Sequence, residues 1–337
     1  MKAVTIAGGG LSGLSLGLAL RKAGVPVEIC EAGSYPRHRV CGEFISGVSE
    51  ETLLALGVDG ALADAWRHRR VTWCREGREL MRAELPVPAL GISRWTLDER
   101  LRAGLVAAGG VMKCGERISR EAREGWVWAA GRIPTRSAWV GLKCHFKGLD
   151  LDGGLEMHLG SNGYVGLTPV EDGRVNVCGL FRVDRRISAR GVEWLLAYLE
   201  AGGNGALAGR LRRAEADGAS FSGVAGFQLG MQAAEEGLCA VGDAWGMIPP
   251  FTGNGMSMAF EGAELAVQPL VEWAAGGMAW TRVVEQVREA GVERFRRRLR
   301  SALVMHRVLM HGRGQDFMES LARRGWLPFR PMLRMVR

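Results

Sequence analysis

AVTIAGGGLSGLSLGLALRKAGVPVEICE, residues 3–31, reads as one complete β-α-β unit. Ala3 to Ala7 is an apolar run of strand length, Gly8-x-Gly10-x-x-Gly13 follows at once, and Leu11 to Ala23 carries the apolar spacing of a helix packed on a sheet. Each glycine has its own task. Gly8 permits a tight turn, Gly10 lets the backbone approach a pyrophosphate, and Gly13 lets the helix lie close to the strand. Phosphate then meets the free N–H groups of the helix start, which Leu11 and Ser12 share. A second strand, Val25 to Cys30, ends in Glu31, where a carboxylate accepts hydrogen bonds from ribose hydroxyls and would repel a phosphate there. The unit predicts a dinucleotide site and leaves FAD and NAD both open.

Outward from this unit, residues 32–47, AGSYPRHRVCGEFISG, form a loop of turn formers and basic residues, and a helix is expected from Ser49 to Leu56. VTWC (71–74) and ELMRAEL (79–85) are strand-like, and Arg94 opens an amphipathic helix ending near Gly109-Gly110. WVWAA (126–130) is a strand, and residues 138–227 are mostly β with one helix around Val192 to Glu200. A second glycine-bearing turn follows in GLCAVGDAWGMIPPFTGNGMSMAFEGAELAV, residues 237–267. There a strand ends in Gly242-Asp243, a proline-bearing loop carries Thr252 to Gly255, and a helix runs from Gly255 to about Ala275. Asp243 is placed to bind ribityl or sugar hydroxyls, and the amides of Gly253 to Met256 at a helix start can stabilise negative charge.

With 337 residues, 47% of them hydrophobic, the chain can bury a sizeable core. The lysine after Met1 and the apolar residues behind it superficially resemble a signal peptide, but none is expected, because the glycines interrupt the apolar region and no small-residue cleavage site follows. No run of about 18 apolar residues suggests a membrane span. Seven cysteines form no Cys-x-x-Cys pair and no metal-like spacing, so no metal is expected and the thiols fit a reducing, cytoplasmic setting. The formal charge of +8 is gathered in the last fifty residues without a nucleic-acid motif, so nucleic acid is not an expected partner. From Val292 to Arg337, arginine clusters alternate with apolar residues at roughly helical spacing. Two readings stand: a pair of helices capping the dinucleotide domain, or a basic amphipathic tail making peripheral contact with the inner membrane face through Trp326, Phe329 and Met332.

These motifs together, the fingerprint with its acid, RVCGEFIS, Arg94 before a helix and GDAWGMIPPFTGNG, resemble the FAD-dependent oxidoreductases of the p-hydroxybenzoate hydroxylase superfamily. The resemblance covers about Lys2 to Ala275 and is strongest to the geranylgeranyl reductase and flavin halogenase branch. RVCGEFIS is similar to that branch's cysteine-glycine loop beside the flavin, and GYVGLTPVEDGRVNVCG, from Gly163, to its Gly-Tyr-x-Trp-x-Phe-Pro segment. The resemblance implies FAD, with Gly8, Gly10 and Gly13 at the pyrophosphate and Glu31 at the adenosine ribose. It implies Arg94 on the ribityl or phosphate side, Asp243 at the ribityl chain, and Gly253, Asn254 and Gly255 against the isoalloxazine, with Arg39, Pro250 and Met256 as further cofactor-binding residues. Cys41 would stand beside the ring as a proton donor or as a packing group. Three departures bear on the reaction. Ala129-Ala130-Gly131 lacks the aspartate of relatives that use NAD(P)H directly, which leaves NAD(P)H or a partner reductase as the electron donor. The halogenase Trp-x-Trp-x-Ile-Pro segment is absent, and Trp126-Val-Trp128 reads as core packing instead. Tyr164-Val-Gly166 lacks the family tryptophan, so the family's substrate does not carry over.

The expected architecture is α/β. A Rossmann-like FAD-binding domain of the three-layer ββα type comprises residues 1–66, 92–135 and 228–285. An inserted mixed β-sheet substrate domain comprises 67–91 and 136–227, and 286–337 form a helical, basic C-terminus. The expected function is a flavin-dependent oxidoreductase that reduces or dehydrogenates a small, largely hydrophobic substrate. A monooxygenase hydroxylating an aromatic or polyketide-like substrate is the alternative, and a non-catalytic flavin-binding protein the third reading.

Overall fold

The computed structural model describes residues 1–152 and 154–337. The opening unit folds as read: β1 (Val4–Ala7), α1 (Leu11–Lys22) and β2 (Val27–Glu31). Then come β3 (Phe44–Ile45), α2 (Glu50–Leu56), the hairpin β4 (Trp66–Arg75) and β5 (Arg78–Gly91), and α3 (Arg94–Ala107). β6 (Val111–Cys114) and β7 (Trp126–Trp128) precede β8 (Trp139–Lys147), β9 (Leu155–Leu159), β10 (Gly163–Pro169) and β11 (Arg174–Arg182). After α4 (Val192–Ala201) and α5 (Gly205–Arg212) the chain adds β12 (Glu215–Ala225), β13 (Gly230–Met231), β14 (Cys239–Ala240) and β15 (Gly246–Met247). Four helices close the chain: α6 (Gly255–Ala274), α7 (Trp280–Leu309), α8 (Gly312–Arg323) and α9 (Phe329–Met335).

The first sheet has the order β14-β7-β1-β2-β6, and its strands are parallel. Parallel strands are covered on both faces, which explains why Val4, Ile6, Val27, Ile29 and Val127 are all buried. Helices α1, α3 and α6 share the core with them. The second sheet, β12-β8-β11-β10-β9-β4-β5-β3, is antiparallel except where β4 runs parallel to β9. Strand alternation gives it two unlike faces. Leu142, Cys144, Phe146, Val165 and Val177 pack under α4 and α5. The opposite face meets the first domain and is graded along its width. Lys143, His145 and Asn176 are its polar end, while Tyr164, Leu180, Met157 and Trp73 form an apolar end covered by Phe251, Leu309, Met310 and Met318.

Several expectations are corrected. Residues 71–85 are parts of one long hairpin turning at Glu76-Gly77, both with positive φ. A second helix, α5, follows α4 where one had been expected. Trp126 and Trp128 are half-buried rather than core residues, each with an arginine over its ring, Arg123 and Arg120 respectively. The C-terminus begins at Trp280, so a boundary at 285/286 falls inside α7, and it holds three helices rather than two. α7 is bound to α6 through Arg298, whose guanidinium donates to both Glu261 oxygens at 3.1 Å, both side chains being buried. Among the described residues no helix is long and apolar enough to cross a membrane.

Candidate active site between the two sheets

At the end of β1, Gly8 has φ +110°, a conformation that L side chains rarely adopt, and a Cβ there would stand 2.5 Å from the Ala129 and Ala130 backbone. A Cβ on Gly13 would stand 2.0 Å from the Gly8 carbonyl oxygen, so the helix lies on the turn only because neither residue has a side chain. Gly10 differs, for nothing lies within 4 Å of its Cβ position. It caps α1 without a side-chain hydrogen bond, and the first turn holds no acid, which leaves the N–H groups of the helix start facing open space. Leu11 and Ser12 are buried behind it, and the Ser12 hydroxyl fills the place a Cβ on Gly242 would need.

Glu31 closes this turn. Its Oε2 accepts from the Gly9 N–H and its Oε1 from the Gly33 N–H and Arg37 Nη2, each at 2.9 Å. Burial pushes the carboxyl up, but the Gly33 amide, Arg39, Arg37 and the Gly9 amide outweigh it and hold Glu31 below the usual carboxylate range. Thus Glu31 braces the glycine loop. Arg39 continues the network: its Nε donates to Asp98 Oδ2 at 2.9 Å, and its Nη2 lies 3.5 Å from Glu31. Arg94 is already engaged, donating to both oxygens of Asp98 at 2.7 and 2.9 Å. Asp98, wholly buried, is the acid that holds both arginines, and the sequence reading missed it.

The second turn repeats the first. α6 opens at Asn254 with no side-chain cap and no acid in its first turn, and nothing lies within 4 Å of a Cβ on Gly255. Asn254 donates to the Thr252 carbonyl at 3.0 Å, while its buried Oδ1 has no partner among the described residues. Pro250 starts the short helical turn before it, and Met256 is buried. The strand β14 stops at Ala240, and Asp243 lies in the short helical turn Gly242–Ala244 behind it, drawn up by removal from bulk water against the pull of Arg94 and Arg132. Gly253, with φ +66°, lies under the Phe44 ring, so the 40s loop reaches across to this turn.

Cys41 stands where these parts meet. The Glu43 N–H points at its sulfur at 3.5 Å, the Asn176 amide donates to its carbonyl at 2.9 Å, and Cys178 lies against it from β11. Burial raises its thiol above the ordinary value despite the Arg94 guanidinium beside it. A thiol raised in this way is a poor nucleophile.

Beneath it lies a group of charges that the sequence reading did not assemble. Glu43, with φ +57°, is wholly buried, and its carboxylate accepts from Lys143 Nζ at 2.9 Å, His145 Nε2 at 2.6 Å and the Arg94 N–H at 3.1 Å. Burial would raise it, but Lys143 and His145 hold it below the usual range. Half-exposed His38 stacks on Trp95 and lies 3.2 Å from Lys143 Nζ. Desolvation, then the charges of Lys143 and His145, lower its pKa to about 4. His145 Nδ1 and Asn176 Oδ1, cross-strand neighbours, have no partner among the described residues. One signal was available: Lys143 and His145 are two charged or polar positions, two apart, inside the otherwise apolar run of β8.

The residues present fit a flavin dinucleotide. Two helix starts opened by glycine, Gly10 and Gly255, sit in one domain, and each offers unpaired N–H groups where a side chain would otherwise block approach. No group of three metal-ligating side chains occurs among the described residues. Neither a protein-family model nor a curated protein matches the chain. Solved structures do match. The flavin-dependent brominase Bmp2 superposes with a TM-score of 0.77 at 17% identity, over 99% of this chain and 92% of that one. This chain therefore shares the fold of that brominase. A geranylgeranyl bacteriochlorophyll reductase-like protein from Thermoplasma acidophilum gives 0.77 at 17% identity, over 99% and 95%. Pseudomonas aeruginosa PqsL, solved in complex with 2-aminobenzoylacetate, gives 0.73 at 16% identity, over 94% and 98%.

Proposed function

We propose that this chain is an FAD-dependent oxidoreductase acting on a small, largely hydrophobic organic substrate held between the two sheets. The observation that carries this reading is the pair of glycine-opened helix starts at Gly10 and Gly255, set beside a sheet face whose apolar end carries Tyr164 and Leu180 and meets Phe251. Bound FAD supplies hydride or electron transfer, or oxygen activation. The start of α1 binds the pyrophosphate, Glu31 orients the ribose end, and Asp243 accepts from ribityl hydroxyls. The N–H groups of Gly255 and Met256 favour negative charge at the ring. Cys41 stands beside that ring as a proton donor or as a packing group, an arrangement that suits reduction or dehydrogenation, where hydride and proton move separately. Electrons come from NAD(P)H or from a partner reductase.

A monooxygenase is the second reading, and the aromatic cluster favours it. His306 lies among Trp139, Tyr164 and Phe251, with ring centroids 5.0, 5.9 and 6.4 Å away, and neither of its nitrogens has a partner among the described residues. Such walls suit a planar substrate bearing one polar group. Mass analysis of the product, with oxygen uptake, separates the readings. A change of two hydrogens without oxygen consumption supports the reductase or dehydrogenase, and gain of one oxygen atom the monooxygenase. Flavin reduction with no turnover of any lipid or phenol points to a non-catalytic flavin protein.

A further inference from the structure

The C-terminal helices have two unlike sides. Residues 296–337 contain eleven arginines against two carboxylates, so this segment accounts for the whole positive charge of the chain. On the inner side Met310, Met318, Phe329 and Met332 pack on the apolar end of the second sheet, and Arg75 pairs with Asp316 and Glu319 at 2.8 and 3.0 Å. Among the described residues the outer arginines have one carboxylate partner, Glu319 beside Arg323 within α8. Arg300, Val304, Arg307 and Val308 recur at helical spacing on the exposed face of α7, and Arg313 and Phe317 do the same on α8, with Arg324 at its C-terminal cap. Trp326 follows, with the Arg324 guanidinium 5.7 Å from its ring, and Arg330 and Arg334 are one turn apart on α9. Val304 is 59% exposed, Phe317 62% and Trp326 68%. Among the described residues no carboxylate lies within ion-pair distance of Arg313, Arg324, Arg330 or Arg334.

Solvated arginines alone need no partner. Valine, phenylalanine and tryptophan side chains standing in water between them are a different matter. A nucleic acid would engage the arginines but leaves aliphatic side chains such as Val304 and Val308 uncovered. An anionic lipid surface takes both: guanidinium groups pair with headgroups while Phe317 and Trp326 enter the boundary with the acyl chains. We propose that the outer side of α7, α8 and α9 docks the protein on an anionic membrane. Trp326 enters the interface, whereas Phe329 and Met332 face inward and stay with the sheet. This proposal stands apart from the flavin reading.

The test is co-sedimentation with vesicles of phosphatidylcholine alone or mixed with phosphatidylserine. Wild-type protein is expected to pellet with the mixed vesicles at about 0.1 M salt, to be released near 1 M, and to stay in solution with phosphatidylcholine. Replacing Arg313, Arg324, Arg330 and Arg334 by Gln is expected to lower partitioning roughly fivefold per arginine, several hundredfold together. Bromolipids should quench part of the tryptophan fluorescence of wild type but not of Trp326→Phe. Equal recovery in the supernatant with both vesicle types would overturn the proposal. So would wild-type binding by the four-arginine variant, absence of quenching, or displacement of the protein from vesicles by duplex DNA of equal charge. Unchanged circular dichroism of the variants separates lost docking from lost folding.

Discussion

The glycine cradle and the buried charges under Cys41 both manage charge away from bulk water, and they do so by opposite means. At Gly10 and Gly255 the protein uses backbone N–H groups, which carry no net charge and need no partner until an anion arrives. At Glu43 and Lys143 it uses formal charges drawn from two remote segments and wholly enclosed, with the His145 ring bonded to the same carboxylate. The first arrangement tolerates an empty site at little cost. The second costs desolvation at all times and holds only while every member is present. Such a cluster fixes the Cys41 loop against the second sheet, so the relation between the domains rests on it.

Breaking that cluster gives the largest expected effect. Glu43→Gln or Lys143→Met alone should lower the unfolding free energy by about 3–5 kcal/mol, because each leaves one buried charge unpaired. The double variant should recover much of the loss, which a double-mutant cycle in urea would read. Additive losses would mean the pair is not coupled and would erase the contrast with the cradle.

Acid should expose the same difference. The folded pKa of His38 and of His306 lies near 4, lowered from 6.5 by burial first and then by neighbouring positive charge. The folded protein therefore binds fewer protons than the unfolded chain between these values. Stability from this source is complete above pH 6.5 and is lost as pH falls towards 4, at up to about 1.4 kcal/mol per pH unit for each well-shielded ring and less for half-exposed His38. Glu43, whose carboxyl is depressed, adds a contribution present above the usual carboxylate range and lost at lower pH still. Denaturation across this range should show a shallower slope for His306→Phe, and an unchanged slope would contradict its burial as a neutral ring.

The cradle should respond more locally. Gly13→Ala places a methyl 2.0 Å from the Gly8 carbonyl oxygen and is expected to cost about 1–3 kcal/mol of stability along with flavin retention. Gly10→Ala meets no protein atom, so it should change stability by less than about 0.5 kcal/mol while lowering FAD affinity at least about tenfold. Calorimetry of the two variants beside their flavin content separates a glycine needed by the protein from one needed by the ligand.

How far each region could be read from the sequence follows from the same contrast. The cradle is built from residues 4–31 in one stretch, and its glycines act through short-range geometry, so order and spacing suffice. The Gly253 to Gly255 turn was legible for the same reason. Glu43, Lys143, His145 and His38 meet only after β8 is laid against the 40s loop, over a sequence separation of 100 residues between Glu43 and Lys143. Nothing local announces that contact beyond a lysine and a histidine on one face of an apolar strand. Arg94 was found by position, but its engagement by Asp98 was not, since an acid four residues along a helix reads as an ordinary surface pair. The C-terminal arginines were legible as charge, whereas the division into an inward Phe329 and an outward Trp326 depends on how α9 packs.

The most direct test of the central claim is the flavin stoichiometry of the purified chain, read from absorbance before and after denaturation and repeated with FAD, FMN and NAD added to flavin-free protein. About one FAD per chain is expected, with FAD preferred over FMN and NAD and the affinity reduced in Gly10→Ala. Protein that carries no flavin and leaves FAD fluorescence unchanged on titration would contradict the assignment of both glycine-opened turns.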